Sequence, residues 1–287
     1  MQHRRIGETE VSAIGLGGMP MSIEGRPESE DRSLRTIHAA LDAGITLIDT
    51  ADAYHMGPDD VGHNESLIAK AIAAYAGDTS DVVVATKGGH LRPGDGSWTL
   101  DGSPQHLKEA CEASLKRLGV ESIGLYQFHR PDPEVPFADS VGALRDLLDD
   151  GKIRMAGVSN VNVDQIREAQ DILGGRLASV QNQYSPAFRS SRPELDLCTE
   201  MGIAFLPWSP LGGIGSAGDL GSEHAPFKDL ADVRGVSPQQ VALAWMLATS
   251  PIIIPIPGSS RPETIRDSAA AADLQLASDE VAQVDAA

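Results

Sequence analysis

Residues 45–54 read ITLIDTADAY, a short apolar run that exits into an acid, Asp49, with a phenol, Tyr54, five positions further on. Seven other runs have the same character: Ala13–Gly17 (AIGLG), Val82–Thr86 (VVVAT), Gly124–Phe128 (GLYQF), Arg154–Val158 (RMAGV), Ala178–Asn182 (ASVQN), Ile203–Leu206 (IAFL) and Ile252–Ile256 (IIIPI). Each is short and non-alternating, and most are rich in β-branched or aromatic residues, as strands buried on both faces must be. Helical patterns separate them. Leu34, Ile37 and Leu41 step by three and four, as do Leu107, Cys111, Leu115 and Leu118, so each set lines one helix face. Strand and helix alternating eight times predict an α/β fold, a (β/α)8 TIM barrel, with an open doubly wound sheet as the alternative.

Helix starts are marked by serines. Ser103-Pro104 and Ser237-Pro238 pair a capping hydroxyl with proline in the first turn, and Ser191-Arg-Pro-Glu194 and Ser260-Arg-Pro-Glu263 fit the capping box. Ahead of the first barrel strand, Arg4–Ile6 and Val11–Ile14 read as a hairpin turning at residues 7–10, placed to close the bottom of the barrel. No Pro/Gly/Ser linker divides the chain, so residues 1–287 read as one domain.

Composition narrows the function. The 23 basic and 41 acidic residues leave a formal charge of −18, which disfavours nucleic acid and anionic membranes as partners. An anionic ligand therefore needs local positive contacts. No run approaches the roughly 18 apolar residues of a membrane span, and the opening MQHRRIGETE lacks an apolar leader segment, so a cytoplasmic protein is expected. Cys111 and Cys198 lack CxxC spacing and read as reduced, buried thiols; His55, His63 and His90 show no metal-ligand spacing, so no metal is expected.

A barrel of this kind carries its chemistry at the C-terminal ends of its strands. The residues found there are Gly18 and Met19, Asp49 with Tyr54, Lys87, His129, Ser159 and Asn160, Gln181, Trp208 and Ser209, and Gly258 to Arg261. Alone, an aspartate here caps a helix and a histidine satisfies a hydrogen bond. An acid, a phenol, an ammonium and an imidazole together read differently. Lys87 ends VVVAT, where its charge wants a carboxylate, and Asp49 is the candidate. An ammonium beside Tyr54 is expected to lower the phenol pKa from about 10 and make it a usable acid, with neutral His129 donating to the same carbonyl oxygen.

The succession IGLGGM, DTADAY, ATKGG, LYQFHRPDP, GVSN, VQNQYSP, PWSPLGG and IPIPGSSRPE spans the chain and resembles the aldo-keto reductase superfamily. That resemblance implies a barrel reductase that binds a nicotinamide dinucleotide without a Rossmann domain, in keeping with the absence of GxGxxG. It implies a catalytic tetrad of Asp49, Tyr54, Lys87 and His129 with Tyr54 as general acid. It puts Ser159, Asn160 and Gln181 around the nicotinamide carboxamide, Trp208 against the ring face, Gly258, Ser259, Ser260 and Arg261 with Arg266 at the adenosine diphosphate end, and Gly18, Met19, Asp49, Ser209 and Leu211 among the other coenzyme contacts. Asn160 as a helix cap, Gln181 as a barrel-layer residue and Trp208 as core remain the alternatives.

Arg261 and Arg266 favour NADPH, with NADH as the alternative, because some members carry lysine where Gly258 stands and arginine where Thr264 stands. The glycine-rich loops at 88–102 and 211–221 are expected to face the site. The chain ends soon after its last helix pattern, so an open substrate pocket is expected, with Met19, Met21, His55, His90 and Trp98 as wall candidates. The resemblance implies a small-molecule carbonyl substrate, an aldehyde or less readily a ketone. Pyridoxal is the alternative, since the stretch from VQNQYSPAFR to IPGSSRPE is similar to bacterial pyridoxal reductases. A nicotinamide-binding regulatory subunit is the alternative of another class. Oligomeric state is not legible.

Overall fold

The computed structural model describes residues 1–285. In chain order the strands are β1 (His3–Ile6), β2 (Thr9–Ser12), β3 (Leu16–Gly17), β4 (Leu47–Asp49), β5 (Val83–Gly88), β6 (His90–Leu91), β7 (Thr99–Leu100), β8 (Leu125–Phe128), β9 (Ala156–Ser159), β10 (Leu177–Gln181) and β11 (Ala204–Phe205). The helices are α1 (Glu30–Asp42), α2 (His63–Ala74), α3 (Pro104–Leu118), α4 (Phe137–Asp149), α5 (Val163–Ile172), α6 (Arg192–Met201), α7 (Leu220–Glu223), α8 (Ala225–Arg234), α9 (Pro238–Thr249), α10 (Pro262–Ala270) and α11 (Ser278–Asp285). Among the described residues no helix is long and apolar enough to cross a membrane.

Seven parallel strands run in the order β3-β4-β5-β8-β9-β10-β11. The eighth run, Ile252–Ile256, pairs without forming a regular ladder. Phe205 N–H donates to Ile252 O at 2.9 Å and Ile254 N–H to Phe205 O at 2.8 Å, while Gly15 and Gly17 N–H donate to Pro255 O and Pro257 O at 2.9 Å each. Isolated bridges join Phe205 to Ile253 and Gly17 to Gly258, which closes the sheet into a TIM barrel. Pro255 and Pro257 have no N–H to return, so the segment accepts from one neighbour without donating at those positions.

Ile6 and Val11 of the β1–β2 hairpin pack among Leu47, Val83, Leu125, Ala178, Leu206 and Ile254, the inward residues of the barrel. The turn is tighter than the sequence predicts: Ile6 pairs with Thr9, leaving Gly7 and Glu8 as the two turn residues, with Gly7 at φ 54°. Arg4 donates to Ser250 O at 2.6 Å and also to the carbonyls of Leu247 and Ile253, tying the hairpin to the segment that enters the eighth run. The other end of the barrel stays open.

Two of the four serine caps form. Ser103 Oγ accepts from His106 N–H and Ser237 Oγ from Gln240 N–H, at 3.3 and 3.0 Å. Ser191 makes no cap bond because its ψ of 18° is not the extended value a capping side chain requires. Ser260 is one residue early: Pro262 opens α10, so Arg261 takes the cap position, and Ser259 Oγ accepts from Arg261 N–H at 3.3 Å. Cys111 and Cys198 are free and buried, and burial pushes both thiols up to about 12.

Candidate active site

Four strand exits converge on one buried ammonium. Lys87, at the end of β5, is fully buried, and its Nζ lies 2.6 Å from Asp49 Oδ1, 2.8 Å from Thr50 O and 3.3 Å from Tyr54 Oη. Asp49 ends β4, and its second oxygen accepts from Gln181 Nε2 at the end of β10, at 2.8 Å. The Tyr54 and His129 rings meet edge to face with centroids 5.8 Å apart. Burial works against the Lys87 charge, but Asp49 and Tyr54 outweigh it and hold the pKa above its ordinary value, so the group is ammonium.

Two protonation states follow from burial. Tyr54 is pushed above the ordinary phenol value because desolvation outweighs the pull of Lys87, so the lowering expected from the sequence is corrected. It carries its proton at neutral pH. His129 is held well below the usual imidazole range, first by burial and then by the neighbouring His90 and Lys87, and is neutral; its Nδ1 has no partner.

The open end of the barrel holds a cleft of about 1010 Å³, at the upper limit of the roughly 300–1,000 Å³ typical of small-molecule sites. Asp49, Tyr54 and His129 form its floor, with Lys87 behind them. Ser159, Asn160, Gln181 and Trp208 form one wall, Ser209 and Leu211 begin the loop along it, and Gly258 to Arg261 with Thr264 form the far end. Met19 faces the floor from one side, and His90, Trp98 and Leu100, carried by the β6–β7 hairpin, from another.

Asn160 is not a helix cap; that place belongs to Asn162, whose side chain pairs reciprocally with Gln165. Instead Asn160 stands at φ 59°, donates through Nδ2 to His129 O and Ser159 Oγ at 3.0 Å each, and accepts from Trp208 Nε1 at 3.2 Å. It locks the Trp208 ring. Ser209, which follows that ring, is the other non-glycine residue at positive φ among the described residues, at 48°.

Two expected wall residues, Met21 and His55, and two expected coenzyme residues, Gly18 and Arg266, lie outside the cleft lining. Met21 closes a single 3-10 turn, Met19–Met21, whose successive side chains diverge by about 120°, so Met19 reaches the cleft while Met21 packs with Leu16, Ile37 and Ile45. His55 is buried outside the cleft, its Nδ1 2.8 Å from Gly57 O and its carbonyl accepting from Arg92. Gly18 backs the site: its N–H donates to Asp49 O at 2.8 Å and its carbonyl accepts from Asn64 Nδ2 at 2.9 Å. Arg266 is exposed and absent from the cleft wall, since two residues beyond Thr264 the helix has turned by about 200°.

Arg130, one residue past His129, lines the cleft and was not singled out from the sequence, although LYQFHRPDP placed a guanidinium beside the histidine. Asp52, inside DTADAY, is buried; burial and the nearby Glu65 carboxylate raise its pKa well above the usual range. Glu65 pairs with Arg117 at 2.5 Å.

The shape fits an elongated coenzyme. Gly17 and Gly258 leave a bare backbone crossing at the far end, where a Cβ on Gly258 would come 2.9 Å from Pro20 Cγ. Trp208 offers an aromatic face, and the hydroxyls of Ser259 and Ser260 stand ahead of the α10 N-terminus, whose free N–H groups suit phosphate.

A TIM barrel with a buried lysine–aspartate pair under a phenol at its open end defines the class of barrel oxidoreductases to which the known relatives also belong. The aldo/keto reductase family profile matches residues 13–287, and the chain belongs to that family. It is 35% identical over 286 residues to an uncharacterized oxidoreductase of Schizosaccharomyces pombe, covering 98% of this chain and 88% of that protein. It is 36% identical over 270 residues to the 6-dehydroglucose reductase of Novosphingobium aromaticivorans, covering 91% and 86%. Among solved structures, glycerol dehydrogenase from Gluconobacter oxydans superposes with a TM-score of 0.84 at 27% identity, covering 99% of this chain and 94% of that one. An aldo/keto reductase from Klebsiella pneumoniae in complex with NADP and acetate gives 0.82 at 28% identity, with coverage of 99% and 94%.

Proposed function

We propose that this oxidoreductase is an NADPH-dependent carbonyl reductase, acting on aldehydes and less readily on ketones, with residues 1–287 as one functional unit in the cytosol. The observation that carries the reading is the Lys87 ammonium between Asp49 and Tyr54. The coenzyme, when bound, supplies the hydride.

The chain's own residues supply the proton and the geometry. Tyr54 Oη donates its proton to the carbonyl oxygen as charge develops there, and the phenolate left behind is stabilised by Lys87 at 3.3 Å until solvent reprotonates it. Asp49 keeps Lys87 charged and in place. Neutral His129 donates a hydrogen bond to the same oxygen and orients the carbonyl. Gln181, committed to Asp49 through Nε2, would keep Oε1 for the carboxamide of a bound nicotinamide, Ser159 and Asn160 would steady that wall, and Trp208, locked by Asn160, would offer its face to the ring. Ser259, Ser260 and Arg261 hold the phosphate end, and Arg261 favours NADPH over NADH.

The test is loss of 340 nm absorbance with NADPH for the wild type and Tyr54→Phe, against 4-nitrobenzaldehyde, methylglyoxal and pyridoxal. The variant should lose about 10²–10⁴-fold in turnover while still binding coenzyme. A wild-type rate in Tyr54→Phe overturns the mechanism. Coenzyme binding with no turnover of any carbonyl transfers the reading to a sensing subunit, and a clear preference for pyridoxal selects that alternative substrate.

A further inference from the structure

The reductase reading names a carbonyl but says nothing of the rest of the substrate. The charges at the Tyr54 end of the cleft carry that further step. Asp49 is neutralised by Lys87 at 2.6 Å. His129 is neutral, and His90, whose ring centroid lies 4.2 Å from it at a tilt of 46°, is lowered by burial to about 4 and is neutral as well. Arg92 is engaged elsewhere: its guanidinium is buried, donates to His55 O, pairs with Glu24 and lies 4.7 Å from the Trp98 ring. That contact, with the His90 ring 5.4 Å away, pins Trp98 as a fixed aromatic wall.

Arg130 differs from all of these. It lines the cleft, and among the described residues it has neither an ion-pair nor a hydrogen-bond partner. The nearest acid in sequence, Asp132, is already spent on backbone: its carboxylate accepts from Gly102 N–H and Glu134 N–H at 2.9 Å each. The other charged groups of the cleft, Arg261 and Asp219, belong to the far wall and the 211–221 loop. At the Tyr54 end, then, the one uncompensated charge among the described residues is a cation. A chain of formal charge −18 repels anions at long range, so an anionic substrate is retained only by a local cation of this kind.

We propose that the site takes carbonyl substrates that also carry a carboxylate, which Arg130 grips while the body of the molecule rests against Trp98 and Leu100. One guanidinium offers two parallel N–H groups to one carboxylate, whereas a phosphate dianion calls for more donors than this end of the cleft supplies. The proposal rests on the reductase reading for its carbonyl chemistry, and Arg130 acts as a specificity residue, with no part in the proton transfer.

The test pairs two aldehydes of one shape, 4-carboxybenzaldehyde and its neutral methyl ester, across wild type, Arg130→Met and Arg130→Lys. In the wild type kcat/KM should favour the acid by roughly tenfold or more, through KM, as a charge-assisted pair requires. Arg130→Met should abolish that preference and leave the ester within about twofold; Arg130→Lys should restore part of it, and salt should erode it because the arginine is exposed. Equal kcat/KM for acid and ester in the wild type, or equal loss of both in Arg130→Met, overturns the proposal. Quenching of tryptophan fluorescence by the two aldehydes reads binding without turnover. Arg130-dependent quenching by the acid alone, with neither aldehyde reduced, upholds the carboxylate site while the reductase reading fails.

Discussion

Gln181 Nε2 donates to Asp49 Oδ2 at 2.8 Å, across 132 positions of sequence. With Lys87 on Oδ1, both oxygens of the aspartate are held, so the carboxylate cannot rotate away from the ammonium it neutralises. The amide that faces the coenzyme in the proposed reaction thereby also sets the position of the acid–base machinery, and removing it should affect both.

Gln181→Leu leaves a buried carboxylate oxygen without its donor. Such a loss costs about 1–3 kcal/mol, and more where the group is charged, so kcat/KM for aldehyde reduction should fall by roughly tenfold or more and the coenzyme KM should rise with it. Steady-state kinetics with NADPH varied at saturating aldehyde separate the two effects. An unchanged kcat with only a raised coenzyme KM would mean that the Asp49 contact is dispensable.

Gly18 tolerates no side chain. A Cβ there would stand 2.4 Å from Asn64 Oδ1 and 3.0 Å from Asp49 O, and Asn64 is itself held by Thr50 Oγ1 at 2.6 Å and by Gly18 O and Ser22. Gly18→Ala should destabilise the fold by about 1–3 kcal/mol and depress turnover, because relief requires moving the backbone that carries Asp49. Urea denaturation and the aldehyde assay check the two halves of this expectation.

The two adjacent buried histidines, His90 and His129, make the protein acid-sensitive. In the folded chain His90 titrates at about 4 and His129 well below its usual range, whereas both take up a proton near pH 6.5 when unfolded. Between those values the unfolded state binds more protons, so stability is full above about pH 6.5 and is lost as pH falls toward 4. Thermal melts from pH 7 to pH 4.5 should show a declining Tm, and the decline should be shallower in His90→Leu, whose side chain has no proton to take up. An identical slope in that variant would assign the sensitivity to other groups.

Arg261 should read the adenosine end of the coenzyme. Its side chain is exposed, and its nearest acid, Glu263, is 3.9 Å away, too far for a tight pair. Arg261→Ala should raise KM for NADPH by roughly tenfold, the scale of one charge-assisted contact, and leave KM for NADH nearly unchanged. Equal effects on the two coenzymes would remove Arg261 from the discrimination.

Much of the site was legible because strand exits in a barrel share one rim. Asp49, Tyr54, Lys87 and His129 each follow an apolar run, and once eight such runs are recognised their convergence follows from topology alone. The errors fall where local geometry intervenes. Met21 left the cleft within a single tight turn, Ser260 lost its cap position to Arg261 because Pro262 opens the helix, and Arg266 rotated out of reach along its helix.

By itself, then, the order of apolar runs and the residues that end them determined the strand–helix alternation, the presence of the N-terminal hairpin and the identity of the groups at the strand ends, while closure of the sheet came from the pairing of the eighth run with β3 and β11. Only the folded structure decided their protonation and their partners. Tyr54 keeps its proton because burial outweighs Lys87, His129 is neutral because it is desolvated beside His90, and Arg130 has no ion-pair partner among the described residues while Asp132 accepts from backbone. Periodicity and spacing place side chains on a face of the fold, but solvation and pairing depend on which groups from distant parts of the chain share the same few ångströms, and sequence order does not record that.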